Sequence, residues 1–226
     1  MILSIHQPAY FPWLGYYDRI AKSDIFIILD TVQYQKNSFQ NRNKIRTNIG
    51  WSWITVPVIT KKILYEKNIN QIEIDYSQNW NIKHLKSIKQ VYTKAKNFEK
   101  IFPLIENILK KKWLNLADLS YETTICFFDI LEIDTKIIRT SELKPFKENK
   151  SDLILEICKH FDTSKYLSGP NGKNYLNEKK FENESINIEY HNFIHPFYSQ
   201  NYKGFEANMS VIDLLMNIDR PSKYFD

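Results

Sequence analysis

Residues 2–30 read ILSIHQPAYFPWLGYYDRIAKSDIFIILD, and this stretch decides the fold class. Ile2 to Ile5 is a short apolar run suited to a buried strand. Pro8 and Pro12 fix φ and lack an amide hydrogen, so residues 6–13 form a loop. Leu14, Tyr17, Ile20 and Ala21 then recur at helical spacing. After Asp24, Ile25 to Leu29 is a continuous apolar run, typical of a strand buried on both faces. Strand, loop, helix and strand make a βαβ unit, which is right-handed with parallel strands. Ligands of open parallel sheets bind beyond the carboxyl ends of the strands. His6, Gln7 and Asp30 stand at that edge.

Outward from this unit, Thr31 to Asn48 is polar and dense in Gln, Asn, Lys and Arg, the mark of a long functional loop. Trp53 to Val58 reads as a strand and Gln71 to Ile74 as a shorter one. Three helical patterns follow at about 80–94, 98–112 and 116–131, and they form a candidate helical lobe. Lys136 to Ile138 is a strand, and 149–160 a helix with Ser151 as its cap. Tyr166-Leu167 leads into Ser168-Gly169-Pro170-Asn171-Gly172-Lys173 and another helix. Ile186 to Tyr190 alternates as a strand, and Met209 to Met216 is a final apolar helix. The expected fold is α/β: one domain over 1–226, a mostly parallel Rossmann-like sheet with a helical lobe inserted at about 80–131.

The balance of 43% hydrophobic and 25% charged residues is that of a globular chain. The 14 Tyr supply flat faces with polar tips, suited to a packed core or to sugars and bases. The net charge of +5 comes mostly from Lys; Lys110-Lys111-Lys112 and Lys61-Lys62 read as solvated faces. No nucleic-acid reading module accompanies them. Cys126 and Cys158 show neither disulfide nor metal spacing, which fits a reducing compartment. The start MILSIHQP is not of signal-peptide type, and no run approaches a membrane span. A cytoplasmic protein is expected. The five His are scattered, so no metal site is expected.

Four constellations could carry chemistry. In the first, His6 leaves a buried strand as a candidate acid or base, with Gln7, Tyr10 and Trp13 beside it. Gly15 opens the helix toward an anion. A strand-edge His bonded to backbone is the plainer alternative. The second runs from Asp30 through Gln33, Lys36, Asn41, Arg42 and Asn43. Asp30 could hold a hydroxyl, an amine or a metal, and Lys36 and Arg42 could clamp phosphates. The third, Ser168, Gly169, Lys173 and Tyr175, offers backbone amides to an anion but lacks Walker spacing. The fourth is His195, Tyr198 and Gln200, followed by Asp213 inside an apolar helix, where a lone carboxylate is costly.

These blocks resemble the WbqC-like family of bacterial proteins over nearly the whole chain. The matching stretches are His6-Gln7-Pro8 through Gly15, Asp24 to Asp30, Asn41-Arg42-Asn43 and Trp53 to Pro57. They continue through Trp80 with His84, Tyr166 to Gly169, Gly172 with Tyr175, His195 to Gln200 and Ser210 to Leu215. Phe39 stands where Trp is expected, and Gly172 lacks a second Gly before it. The resemblance implies a setting in O-antigen or other surface-polysaccharide (lipopolysaccharide) biosynthesis. It implies amide formation on a nucleotide-linked amino sugar by an aminoacyltransferase or other acyltransferase, with glycine as one candidate unit. The partners would be that sugar and a small amino-acid or acyl donor, and ATP with Mg is the candidate cofactor. Trp13-Leu14-Gly15-Tyr16 also sits where nucleotidyltransferases and pantothenate-synthetase-like ligases carry His-x-Gly-His, with both His positions aromatic here. In the leading scheme His6 or Asp30 deprotonates the amine. Gln7, Asn41 or loop amides hold the oxyanion, and Lys36, Arg42 and Ser168 to Lys173 hold phosphates. The rivals are a nucleotidyltransferase, a non-catalytic nucleotide-sugar binding protein and an RNA-binding protein. The leading scheme expects His6, Asp30, Arg42 and Ser168 to line one cleft.

Overall fold

Strand β1, Ile2–His6, runs through the middle of a five-stranded sheet in a computed structural model that describes residues 1–59 and 67–225. Lys61-Lys62 lies outside those residues. Helix α1, Leu14–Ala21, crosses over to β2, Ile25–Ile28, which pairs parallel with β1. On the far side of β2 lies β5, Lys136–Arg139. On the other side of β1 lie β6, Lys165–Ser168, and β7, Asn187–Tyr190. Every pairing is parallel, giving the order β5-β2-β1-β6-β7. The expected α/β, Rossmann-like sheet is what the chain forms.

Both faces of this sheet are covered, which is why its strands carry apolar runs. Phe26 and Ile28 face one layer; Leu3, Ile5, Ile27 and Leu29 face the other. The first layer holds Tyr17 and Ile20 of α1 together with helices α2, Trp80–Tyr92, α3, Phe98–Lys110, and α4, Leu116–Ile125. Leu214 and Leu215 of α8, Val211–Asn217, join the same apolar cluster, so the helices of 80–131 share one core with the sheet. The second layer is built by α6, Lys150–His160, and α7, Glu178–Asn183, through Ile154, Ile157 and Phe181.

Three local expectations need correction. The segment read as a long loop contains β3, Arg42–Thr47, which forms an antiparallel hairpin with β4, Gly50–Thr55. Its alternation is hidden because an inward position is Asn43 rather than an apolar residue. The tight connection uses Gly50 at φ +125, a backbone region that glycine enters without strain. The pattern over 116–131 is two helices, broken after Ile125, with α5 at Phe128–Leu131. Ser151 does not cap α6; it lies inside the helix, and its hydroxyl accepts the Asn177 amide at 2.9 Å. Among the described residues no helix is long and apolar enough to cross a membrane.

Candidate functional site

The chain winds outward from β1 in both directions, through β2 to β5 and through β6 to β7. The reversal lies between β1 and β6, and ligands of doubly wound sheets bind above the carboxyl ends at that point. A cleft of about 780 Å³ opens there. His6 and Gln7 leave β1 into it, Tyr16 and Arg19 reach it from α1, and Gly169 and Gly172 border it after β6. His191 and Phe193, just beyond β7, complete one wall; Phe39 and Gln40 complete another.

His6 sits in this cleft as a neutral ring. Its Nδ1 lies 2.8 Å from the Gln7 carbonyl oxygen, which can only accept, so Nδ1 carries the proton and Nε2 keeps its lone pair. Burial disfavours the charged ring and the nearby Arg19 guanidinium adds to this, lowering its pKa to about 3. Trp13 and Tyr16 pack edge-on around it, with centroids 5.6 and 4.9 Å from the imidazole. Trp13 and Tyr16 therefore wall in His6. The Gln7 side-chain oxygen accepts the Gln40 amide at 2.8 Å, tying the loop after β1 to that before β3.

Asp18 and His191 form the second feature. His191 Nε2 lies 2.5 Å from Asp18 Oδ2, and both side chains are nearly buried. Lys22 also donates to Asp18, at 3.0 Å. Burial alone would raise the Asp18 pKa; hydrogen bonds from His191 and Lys22 outweigh it and hold the carboxyl below its ordinary value. A histidine oriented by a buried carboxylate is the arrangement that supports proton abstraction.

Arg19 is the third feature. It is 4% exposed, its Nε has no hydrogen-bond partner, and no carboxylate among the described residues pairs with it. Desolvation lowers its pKa, and only the Tyr166, Tyr16 and Tyr175 hydroxyls act in the opposite sense. Gly169 makes this position possible, because a Cβ there would lie 2.4 Å from Arg19 Nη1.

A family model described as the WbqC-like protein family matches residues 7–223. This chain belongs to the WbqC-like family. The uncharacterized protein Rv1507c of Mycobacterium tuberculosis is 32% identical over 218 residues, covering 96% of this chain and 93% of its own. No solved structure gives a match.

Within this WbqC-like chain the residues singled out from the sequence fall into three groups. His6, Gln7, Trp13, Gly169 and Tyr175 line the cleft. A second group holds the frame together. Tyr10 is fully buried, its hydroxyl 2.9 Å from His84 Nδ1. Asn43 donates to the Phe11 carbonyl at 2.7 Å, and Asn41 to that of Val56 at 2.8 Å. Ser168 donates to the Gly169 carbonyl. Tyr198 and Gln200 both donate to Asp213, and the His195 ring is stacked near Tyr198. In the third group, Arg42 lies 4.3 Å over the Trp53 ring, Lys173 lies 5.1 Å over the Tyr190 ring, and Lys36 and Gln33 are exposed.

Asp30 corrects the expected geometry. It is fully buried, and its carboxylate accepts from Arg139 at 2.9 and 3.0 Å, from the Ser141 hydroxyl at 2.6 Å and amide at 2.9 Å, and from Thr140 at 3.0 Å. Its lone pairs are occupied in joining β2 to the end of β5. Of the four residues expected to share a cleft, His6 lines it; Asp30, Arg42 and Ser168 do not.

Arg19, Asp18 and His191 lie outside the four constellations drawn from the sequence. Two signals were present. Arg19 follows Gly15 by four residues and Tyr16 by three, so it shares their helix face. His191 stands just past the carboxyl end of a strand, as His6 does.

Proposed function

We propose that this WbqC-like protein is an enzyme of surface-glycan biosynthesis that forms an amide on a nucleotide-linked amino sugar. The observation that carries the proposal is that His191, held by the Asp18 carboxylate, and neutral His6 both line one switch-point cleft. In the reaction the sugar amine attacks the acyl carbon. The N–H proton passes to His191, whose imidazolium Asp18 stabilises, and the leaving group departs with its electron pair. The Nε2 lone pair of His6 accepts a hydrogen bond from the amine and orients it; a base with a pKa near 3 is too weak to take the proton at neutral pH. The base is thus His191 rather than His6, whose pKa is too low, or Asp30, which Arg139 takes up.

The cleft does not fit ATP with Mg. Arg19 is the single Lys or Arg side chain among its described lining residues, and no carboxylate lines it to hold a divalent ion. An acyl donor that arrives already activated suits it better. A nucleotidyltransferase is disfavoured likewise, because the metal ion on its triphosphate needs carboxylates that the described lining lacks. Lys36 and Lys173 lie on the two loops that border the mouth, where the diphosphate of a nucleotide sugar would lie.

Incubation with nucleotide-linked amino sugars and activated acyl or aminoacyl donors, followed by mass spectrometry, tests the proposal. The expected product is the sugar carrying the acyl mass, lost in His191→Ala while sugar binding persists. Tight sugar binding with no product from any donor would leave a binding protein and remove the enzyme.

A further inference from the structure

A guanidinium taken out of water needs an anion or a full set of acceptors, because its desolvation is otherwise uncompensated. Arg19 has neither. Its surroundings are the Phe26 ring, 5.8 Å from Cζ, the hydroxyls of Tyr16, Tyr166 and Tyr175, and the bare backbone of Gly169. Asp18, the acid next to it in sequence, is turned to His191 and Lys22. The side chain nonetheless reaches into the cleft rather than into solvent.

We propose that Arg19 is the seat of a carboxylate, so that the cleft takes a small substrate bearing one carboxylate group held on its guanidinium. Charge decides the class. One buried cation balances one negative charge, whereas a phosphate dianion there would keep an unpaired charge in a desolvated, aromatic-walled site. Geometry agrees. The planar guanidinium fork matches a carboxylate in a bidentate pair, and the absent Cβ of Gly169 leaves Nη1 its room. The inference rests on the proposed amide transfer only for which substrate brings the carboxylate, a group borne apart from the reacting acyl carbon, and the binding stands without turnover.

The full chain is titrated with sodium acetate, and separately with inorganic phosphate, at constant ionic strength, following the Arg19 Nε–H resonance by NMR. Acetate is expected to shift that resonance and to bind more tightly than phosphate. Arg19→Met should weaken acetate by about 10–100-fold, the range for a charge-assisted pair, and melt no lower than the parent. Gly169→Ala keeps the charge but moves the guanidinium, and should weaken acetate by about tenfold. Lys100→Gln, exposed on α3 and outside the cleft lining, should leave acetate binding unchanged. An unmoved Arg19 resonance, tighter phosphate binding, or an Arg19→Met chain that fails to fold would each overturn the inference. Acyl transfer without an acetate effect on Arg19 would sink this inference alone. Acetate binding without transfer would sink the proposed reaction alone.

Discussion

Arg19 and Arg46 are equally hidden, at 4% and 3% exposure, yet their surroundings are opposite. Arg46, on β3, donates to Gln200 at 3.2 Å, to the carbonyls of Gly50 at 2.7 Å and Lys203 at 2.8 Å, and to that of Thr47. Asp213 lies in the same network, held by Tyr92 and Tyr198 at 2.9 Å and by Gln200 at 2.7 Å. There burial tends to raise the Asp213 pKa, and these donors and Arg46 offset part of it. Nothing comparable meets Arg19. A buried charge with its donors used up is a strut; one left unmet is an invitation to a ligand. The contrast separates the polar residues that fasten this fold from those that await a substrate.

The largest test of that contrast is Arg46→Met. It strands buried acceptors and an acid, and should lower unfolding free energy by about 3–5 kcal/mol in urea titrations. A loss as small as that from Arg19→Met would erase the distinction between the two arginines.

Acid should act next. His84 is a satisfied neutral ring: Nε2–H donates to the Thr55 carbonyl at 3.1 Å, and Nδ1 accepts from Tyr10. Burial, opposed in part by the Thr55 hydrogen bond, lowers its pKa to about 4. An unfolded histidine titrates at about 6.5, so between these values the unfolded chain binds a proton that the folded chain refuses. Stability should therefore fall as pH falls, by about 1.4 kcal/mol per pH unit from this group. His6, depressed in the same sense, adds to the slope. In His84→Gln the slope should flatten, as read from urea midpoints between pH 7 and 4; an unchanged slope would place the proton elsewhere.

Asn43→Ala should cost about 1–3 kcal/mol, because it removes the donor to the Phe11 carbonyl and its weaker contact with that of Tyr10. Phe11 sits at φ 41, a strained value for this residue type, so the loop after His6 should also loosen. Faster amide exchange at residues 9–13 would register this. The smallest stability effect belongs to Arg19→Met, within about 1 kcal/mol of the parent and on the stable side, since an unpaired buried cation is replaced by an apolar chain. Thermal melting reads it directly. A melting point far below the parent would make Arg19 a second Arg46.

How far the sequence reached varies by residue. His6 and Trp13 were legible because a loop rigidified by Pro8 and Pro12 leaves an apolar strand, a purely local signal. Tyr198 and Gln200 drew attention by the same polar character, but their partner is Asp213 in the frame rather than a cleft ligand. Asn43 hid the β3–β4 hairpin because it is polar at an inward position.

What the sequence by itself determined is what depends on neighbours along the chain: the apolar strands β1 and β2, the helical spacing of α1 to α4, and the strand ends as the place for chemistry. Only the tertiary structure decided which polar groups are spent. Asp30 is taken up by Arg139, 109 residues away, and Asp18 by His191, 173 residues away. Arg19 meets no such partner among the described residues. Periodicity is set by the repeat of a single helix or strand, whereas satisfaction of a buried charge depends on which distant elements the sheet order brings beside it.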